Sequence, residues 1–199
     1  QLLQKLNAAK RPVLIGGHGV WWAKAEAKLE EAGRMLGIPV FNIPYHQKLL
    51  GEECEAYMGL ADIHQYHPSA DAFRDADLVL MVGGRLDNQM NFGNPPLFPS
   101  SAKLVCVNGS HEEIEFNRAA DFALLCDPAA FLETLVVHRE NPDFRLPRDW
   151  YDLNRQWRAA WVDKMLADLD HETAQPAFEG RIHPLQLALD VQDAMSDGD

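Results

Sequence analysis

The fold is decided by the stretch Arg11-Pro12-Val13-Leu14-Ile15-Gly16-Gly17-His18-Gly19-Val20, in which apolar residues run directly into three glycines. An amphipathic pattern without proline follows over residues 21–36. This order predicts a buried strand, a tight turn and one long helix. The spacing is Gly-Gly-x-Gly, which is not the dinucleotide-binding fingerprint. A plain strand–helix connection is therefore one interpretation. The other is an anion site at unpaired N–H groups where the helix begins.

The composition indicates a globular protein without a nucleic acid or membrane partner. The chain has 199 residues, of which 47% are hydrophobic and 24% charged, enough for one domain or for one domain with an extension. The formal net charge of -12 disfavours nucleic acid and anionic membranes, since both attract basic surfaces. The three cysteines share no CxxC spacing. We therefore expect free thiols and a cytoplasmic location.

Strand and helix patterns alternate through the first two thirds of the chain. Further strands are predicted at residues 38–43, 57–60, 77–82, 102–107 and 122–126, and further helices at residues 1–9, 69–75, 112–117 and 130–137. Ser110 and Glu113 have the spacing of a capping box for the helix at 112–117. The alternation predicts an α/β fold, with a doubly wound, mostly parallel sheet of five or six strands.

A helical extension is predicted after residue 138. Residues 139–182 should form a linker and a helix, with a polar loop over 171–181, and residues 183–199 should begin another helix. Large apolar residues recur at helical spacing at Trp150, Leu153, Trp157, Trp161 and Leu166. Such a stripe is typical of a core or an interface. Because this tail is too short for a core of its own, we expect it to dock on a further domain.

Five strand-end loops should gather at one rim of the sheet: residues 16–19, 42–45, 59–64, 83–87 and 108–113. Ligands of doubly wound sheets bind at the carboxyl ends of the strands, near the point where strand order reverses. Arg85 suits a phosphate or carboxylate, and Asp87 could steady that guanidinium or meet a ribose hydroxyl. His64 and His67 lack the converging ligand set of a zinc site, so no metal site is expected.

Several segments resemble the central domain of thiamine diphosphate-dependent enzymes, particularly acetolactate synthase, oxalyl-CoA decarboxylase and 2-hydroxyacyl-CoA lyase. They are residues 10–20, 37–40, 58–59, 63–64, 76–80 and 83–87. The resemblance covers residues 1–137 and implies a Rossmann-like central domain at 1–138. It also implies a longer, three-domain enzyme whose outer domains bind thiamine diphosphate with Mg and perform catalysis. Residues 183–199 would begin the following domain.

The resemblance further implies a ligand in the central domain, either FAD or ADP, although some relatives hold neither. The implied contacts fall on Gly17, His18, Gly19, Gly59, His64, Gly84, Arg85, Asp87, Glu113 and Asp127. The sequence departs from the family pattern at His18, at Gln89 and over residues 107–110. A site that binds neither ligand is therefore a further alternative. No catalytic residue is implied on this chain. The expected partners are the flanking domains and further copies, as a dimer or tetramer.

Two other functions fit the residues by themselves. A free-standing nicotinamide-dependent oxidoreductase or deacetylase would need a catalytic acid or nucleophile near the rim, and none stands out. A pure interface scaffold would be favoured by an exposed tryptophan stripe. The coding sequence on either side discriminates between these, because a three-domain enzyme requires long extensions that include a Gly-Asp-Gly run followed by an asparagine.

Overall fold

The computed structural model describes residues 2–44, 49–64, 67–114, 116–137 and 148–196. The strands are β1 Pro12–Gly16, β2 Val40–Asn42, β3 Tyr57–Leu60, β4 Leu78–Val82, β5 Lys103–Asn108 and β6 Phe122–Leu125. The helices are α1 Leu2–Ala8, α2 His18–Trp22, α3 Glu26–Leu36, α4 His67–Asp75, α5 Pro128–Val137, α6 Arg148–Thr173 and α7 Pro184–Ser196. The described part contains no helix that is both long enough and apolar enough to cross a bilayer.

The strands form one parallel sheet in the order β3-β2-β1-β4-β5-β6. The predicted doubly wound α/β fold is confirmed, with six strands. The chain builds outward from β1 in one direction and then returns to add β4 on its other side. The strand order therefore reverses between β1 and β4, where Gly16 lies opposite Val82. A crevice is expected at this position in such sheets.

The core lies on both faces of the sheet. Because the crossovers after β1 and β3 run in opposite directions, their right-handedness places α3 and α4 on opposite faces. On the α4 face, Phe73 packs edge-on against Phe41, with ring centroids 5.1 Å apart, and stacks on Phe98 at 4.9 Å. All three phenylalanines are fully buried. Both central strands, β1 and β4, are buried along their whole length, as expected for strands covered on two sides.

The single helix predicted over residues 21–36 is wrong, because the chain forms α2 and α3 with a turn between them. At this turn the Ala25 N–H donates to the Val20 carbonyl (3.0 Å) and the Lys24 N–H donates to the Trp21 carbonyl (2.9 Å). This pair of bonds is a Schellman ending, in which Lys24 takes the left-handed position with φ 51°. The apolar pattern continues across the turn, so periodicity could not reveal it. The predicted stop of α3 at Gly37 is confirmed, with φ 62°.

Two other predicted elements differ from the structure. The helix at 112–117 is only a 3-10 turn at His111–Glu113, and Ser110 makes no capping bond. The Ser110 hydroxyl donates to Glu112 instead, at 2.6 Å. The polar loop expected over 171–181 begins later, because α6 continues to Thr173 and a 3-10 turn follows at Pro176–Phe178. The linker that the sequence places after residue 138 lies largely outside the described residues.

The chain divides into two compact units, Gln1–Arg158 and Ala159–Asp199. The first turns of α6 belong to the first unit, where the Trp150 Nε1–H donates to the Pro12 carbonyl at 2.9 Å. Arg158 donates to the Tyr57 carbonyl of the edge strand β3 at 2.8 Å. In the second unit, His183 lies 3.0 Å from the Glu172 carboxylate and against the Phe178 ring. The limits predicted at residues 138 and 182 stay predictions.

Candidate functional site

Two glycine turns meet at the reversal point of the sheet and bond to each other through their backbones. The Gly17 N–H donates to the Val82 carbonyl at 2.9 Å, and the Gly19 N–H donates to the Gly83 carbonyl at 2.7 Å. A Cβ on Gly17 would lie 2.6 Å from both the Gly83 carbonyl oxygen and the Gly84 Cα. Glycine is therefore needed here so that one turn can approach the other.

The backbone contacts of this turn use three of the N–H groups to which the sequence assigned an anion site. Gly17 and Gly19 donate across to the β4 turn, and the Val20 N–H donates to the Gly17 carbonyl at 2.9 Å. These three N–H groups already donate to backbone carbonyl oxygens, so they are not unpaired donors for a phosphate. The helix that follows, α2, is also only five residues long. The long helix dipole assumed from the sequence is absent.

A groove of about 360 Å³ opens beside the two turns, and we call it the rim groove. It lies at the carboxyl ends of β1, β2, β4 and β5, as the sequence predicted for a parallel sheet. Six of the ten predicted site residues line it: His18, Gly19, Gly84, Arg85, Asp87 and Glu113. The other described residues that line it are Trp22, Ile43, Pro44, Gly83, Gln89 and Asn108.

The structure places the other four predicted residues outside the lining of the rim groove. Gly17 lies between the two turns, and Gly59 sits within β3 with φ 113°. The His64 N–H donates to the buried carboxylate of Asp62 at 2.8 Å, which closes a local turn. Asp127 accepts the Ala130 N–H at 3.0 Å and so caps α5. The Asp127 carboxylate thus has a structural role at the start of α5, and the His64 backbone is held by Asp62.

Arg85 bonds to a partner that the sequence did not suggest. Its Nη1 lies 3.2 Å from the Glu113 carboxylate, and its guanidinium lies over the Phe116 ring, 4.7 Å from the centroid. The predicted pairing with Asp87 is therefore replaced by a pair between the ends of β4 and β5. Both side chains are about two fifths exposed, at 45% and 39%. Arg85 is thus held at the groove while its charge stays accessible to water and to a ligand.

Asp87 carries a half-buried carboxylate and lies in the loop that follows β4. Burial raises the pKa of this carboxyl above its ordinary value, although the Gln89 N–H and nearby Arg85 act in the opposite direction. The Gln89 N–H donates to it at 3.1 Å. The Gln89 side-chain amide, oriented by its hydrogen-bonding partners, also donates to Asp87. Gln89 therefore donates to the Asp87 carboxylate, and Asp87 still lines the groove.

Comparison with known families decides what kind of domain carries this groove. The family described as "Thiamine pyrophosphate enzyme, central domain" matches residues 1–135. The chain belongs to this family. The match covers both glycine turns, the whole sheet and most of α5, and the resemblance noted in the sequence is thereby confirmed.

Relatives of this thiamine pyrophosphate enzyme central domain include lyases and synthases. It is 33% identical to 2-hydroxyacyl-CoA lyase 1 of Dictyostelium discoideum, over 86% of this chain and 30% of that protein. It is 29% identical to an acetolactate synthase of Mycobacterium avium, over 66% of this chain and 21% of that protein. The chain thus spans less than a third of the length of these relatives.

A solved structure shares the fold of the central domain. It is the thiamine diphosphate-dependent 4-hydroxybenzoylformate decarboxylase of Rhodococcus jostii RHA1. The TM-score is 0.57 at 22% identity, over 68% of this chain and 26% of that chain. At this identity the similarity describes the architecture alone.

Two described groove residues of the central domain, Trp22 and Gln89, lie outside the five predicted rim loops. Gln89 stands two residues after the loop at 83–87, whereas Trp22 follows the first loop on α2. A sequence signal for it existed, because Trp22 stands four residues after His18 and shares its face of a helix. The tryptophan pattern considered in the sequence began only at Trp150, so this residue was missed.

Proposed function

We propose that this central domain binds an ADP-containing ligand in the rim groove. In this proposal the domain performs no catalysis and serves as a scaffold within a longer thiamine diphosphate-dependent lyase, decarboxylase or synthase. The single observation that carries the ligand proposal is the convergence of Arg85, Asp87 and Glu113 on one groove at the reversal point of the sheet. Such crevices are where doubly wound sheets hold nucleotides.

The size of the rim groove favours ADP over FAD. A volume of about 360 Å³ is near the lower end of the range of about 300–1,000 Å³ for small-molecule sites. FAD contains the same adenosine diphosphate and adds a ribityl chain and a three-ring flavin. The described lining therefore suits the shared ADP part, and the flavin of a bound FAD would extend beyond it.

The charged groups of the groove have complementary roles in this proposal. Arg85 would hold the diphosphate, since guanidinium groups form charge-assisted bonds with phosphate oxygens. Glu113 would keep Arg85 in position through their existing ion pair. Asp87 would accept hydrogen bonds from ribose hydroxyls. Because Gly19 and Gly84 have no side chains, a ligand could approach the backbone closely between these groups.

We further propose that thiamine diphosphate and Mg bind to flanking domains of the same polypeptide. Thiamine diphosphate supplies carbanion stabilisation next to a carbonyl carbon, which is the chemistry of C–C bond cleavage and formation. Within the described part of this chain, no group of three or more His, Cys, Asp and Glu side chains is placed to hold a metal. The names of the relatives, which include lyase and synthase, support this class. A cytoplasmic dimer or tetramer is part of the same proposal.

The coding sequence on either side of this chain tests the catalytic part of the proposal. We expect the reading frame to continue on both sides, with a Gly-Asp-Gly run followed by an asparagine on the carboxyl side. A reading frame without either extension would contradict the three-domain enzyme. It would favour instead a free-standing nicotinamide-dependent enzyme or an interface scaffold.

Substitution of Arg85 tests the ligand part. We expect Arg85→Ala to weaken ADP binding by about tenfold or more, because a hydrogen bond to a charged group contributes roughly 1.5–3 kcal/mol. Isothermal titration calorimetry of the purified protein with ADP, FAD and coenzyme A measures this. ADP should bind at a stoichiometry of one, and each larger ligand should bind only through its ADP part.

Arg74→Ala is the matched control for Arg85→Ala. Arg74 also forms a surface ion pair at 3.2 Å, with Asp71, but it lies on α4 and does not line the rim groove. Its loss should leave ADP binding unchanged. If none of the three ligands binds to the unsubstituted protein, the ligand proposal is wrong, while the family assignment stands.

A further inference from the structure

Trp22 stands at the mouth of the rim groove with most of its surface open to water. It lines the groove, yet its relative exposure is 75%, the highest among the large hydrophobic residues of the described chain. His18 lies one turn earlier on the same face of α2 and lines the groove as well. An indole ring in this position leaves a large apolar area to water unless something covers it.

The Trp22 ring contacts the ring of its neighbour on the same helix. Trp21 packs against it edge to face, with ring centroids 4.7 Å apart and an interplanar angle of 71°. The helix itself is closed immediately afterwards by the Schellman bonds of Lys24 and Ala25. The indole is thus exposed at the groove while one edge-to-face contact with Trp21 favours its orientation there.

The chemistry of the groove indicates what would cover this ring. Arg85, Asp87 and Asn108 offer a cation, a carboxylate and an amide at the strand ends. Among the described residues lining the groove, Trp22 is the only one with an indole or phenyl ring. A ligand that contacts both the polar strand ends and the Trp22 ring carries a polar, anionic part and a flat aromatic part.

We propose that Trp22 is the stacking surface for the adenine ring of the bound nucleotide. This inference rests on the proposed ADP function and adds its specificity determinant: Arg85 recognises the diphosphate, and Trp22 recognises the flat base. Stacking on an aromatic side chain accepts any base with a π-face. The groove should therefore select for a nucleotide over free pyrophosphate, and only modestly among bases.

The test compares ADP with inorganic pyrophosphate by isothermal titration calorimetry, using the purified protein and three variants. We expect Trp22→Ala to weaken ADP binding about tenfold and Trp22→Phe to weaken it less than about threefold, because phenylalanine retains a stacking face. Binding of pyrophosphate, which has no ring, should be the same in all of them. Leu125→Ala is the control, since Leu125 is 59% exposed on β6 and lies outside the groove.

The outcomes separate this inference from the proposed function. If the unsubstituted protein binds ADP and Trp22→Ala binds it equally well, Trp22 is not the stacking surface, and the ADP proposal stands. Equal weakening of ADP and pyrophosphate would show that Trp22 only shapes the groove, which also contradicts the inference. Failure of the unsubstituted protein to bind ADP contradicts both proposals. Thermal unfolding of each variant confirms that it is folded.

Discussion

Gly83→Ala is expected to lower the free energy of unfolding by about 2–6 kcal/mol, or to prevent folding altogether. Gly83 has φ 67°, a conformation that costs an alanine roughly 1–3 kcal/mol. A Cβ there would lie 2.6 Å from the Val20 nitrogen and 2.8 Å from the Gly19 Cα. These are backbone atoms of the facing turn, so relief requires the two turns to separate, at a further cost of about 1–3 kcal/mol.

Gly109→Ala is the matched control for this prediction. Gly109 also follows a strand of the sheet, β5, but a Cβ built there meets nothing within 4 Å. Its substitution should change stability by less than about 0.5 kcal/mol. Urea unfolding followed by circular dichroism measures both variants. Equal stability of the two would mean that the contact between the glycine turns is not required for the fold.

Trp150→Ala is expected to destabilise the sheet-containing unit by about 3–5 kcal/mol, the usual cost of truncating a buried tryptophan. Trp150 is 4% exposed, and its ring packs edge-on against Trp157 with centroids 5.7 Å apart. Its indole N–H donates to the Pro12 carbonyl at the start of β1. The substitution therefore opens a cavity and leaves a carbonyl of the central strand without this donor.

Two further variants locate the cause of this loss. Trp150→Phe keeps an aromatic ring but lacks the donor, so we expect an intermediate loss of about 1–3 kcal/mol. Trp22→Ala removes a tryptophan that is 75% exposed and should cost no more than about 1 kcal/mol. Urea unfolding is again the measurement. If Trp150→Ala unfolds like the unsubstituted protein, the first turns of α6 do not belong to the folding unit of the sheet.

Sequence periodicity predicted the strands well because their signal is local. β1 and β4 are continuous apolar runs that end in glycine, and such runs are buried strands in parallel sheets. Predictions for the helices were less accurate where a tertiary contact or a turn overrode the pattern. The break at Lys24 leaves the apolar spacing intact, and the capping box at Ser110 was lost because Glu113 bonds to Arg85 instead.

The candidate site was predictable in part for a related reason. Loops that follow parallel strands gather at one edge, so placing His18, Arg85 and Asp87 in one groove required only the strand pattern. Asp127 and His64 were assigned to the site by resemblance, and the structure places both outside the lining of the rim groove. Trp22 was not assigned, because its spacing from His18 places both residues on one helical face without showing that this face borders a groove.

By itself, the sequence determined the α/β class, the order of strands along the chain and membership of the thiamine pyrophosphate enzyme family. These follow from short apolar runs and from motifs read in order, which need no knowledge of distant neighbours. Only the tertiary structure decided that Gly17 packs on Gly84, that Arg85 pairs with Glu113 and that Trp22 borders the groove. Such partners are far apart in sequence. The two glycine turns meet because the sheet reverses its strand order between β1 and β4, and Arg85 meets Glu113 because β4 and β5 are neighbouring strands.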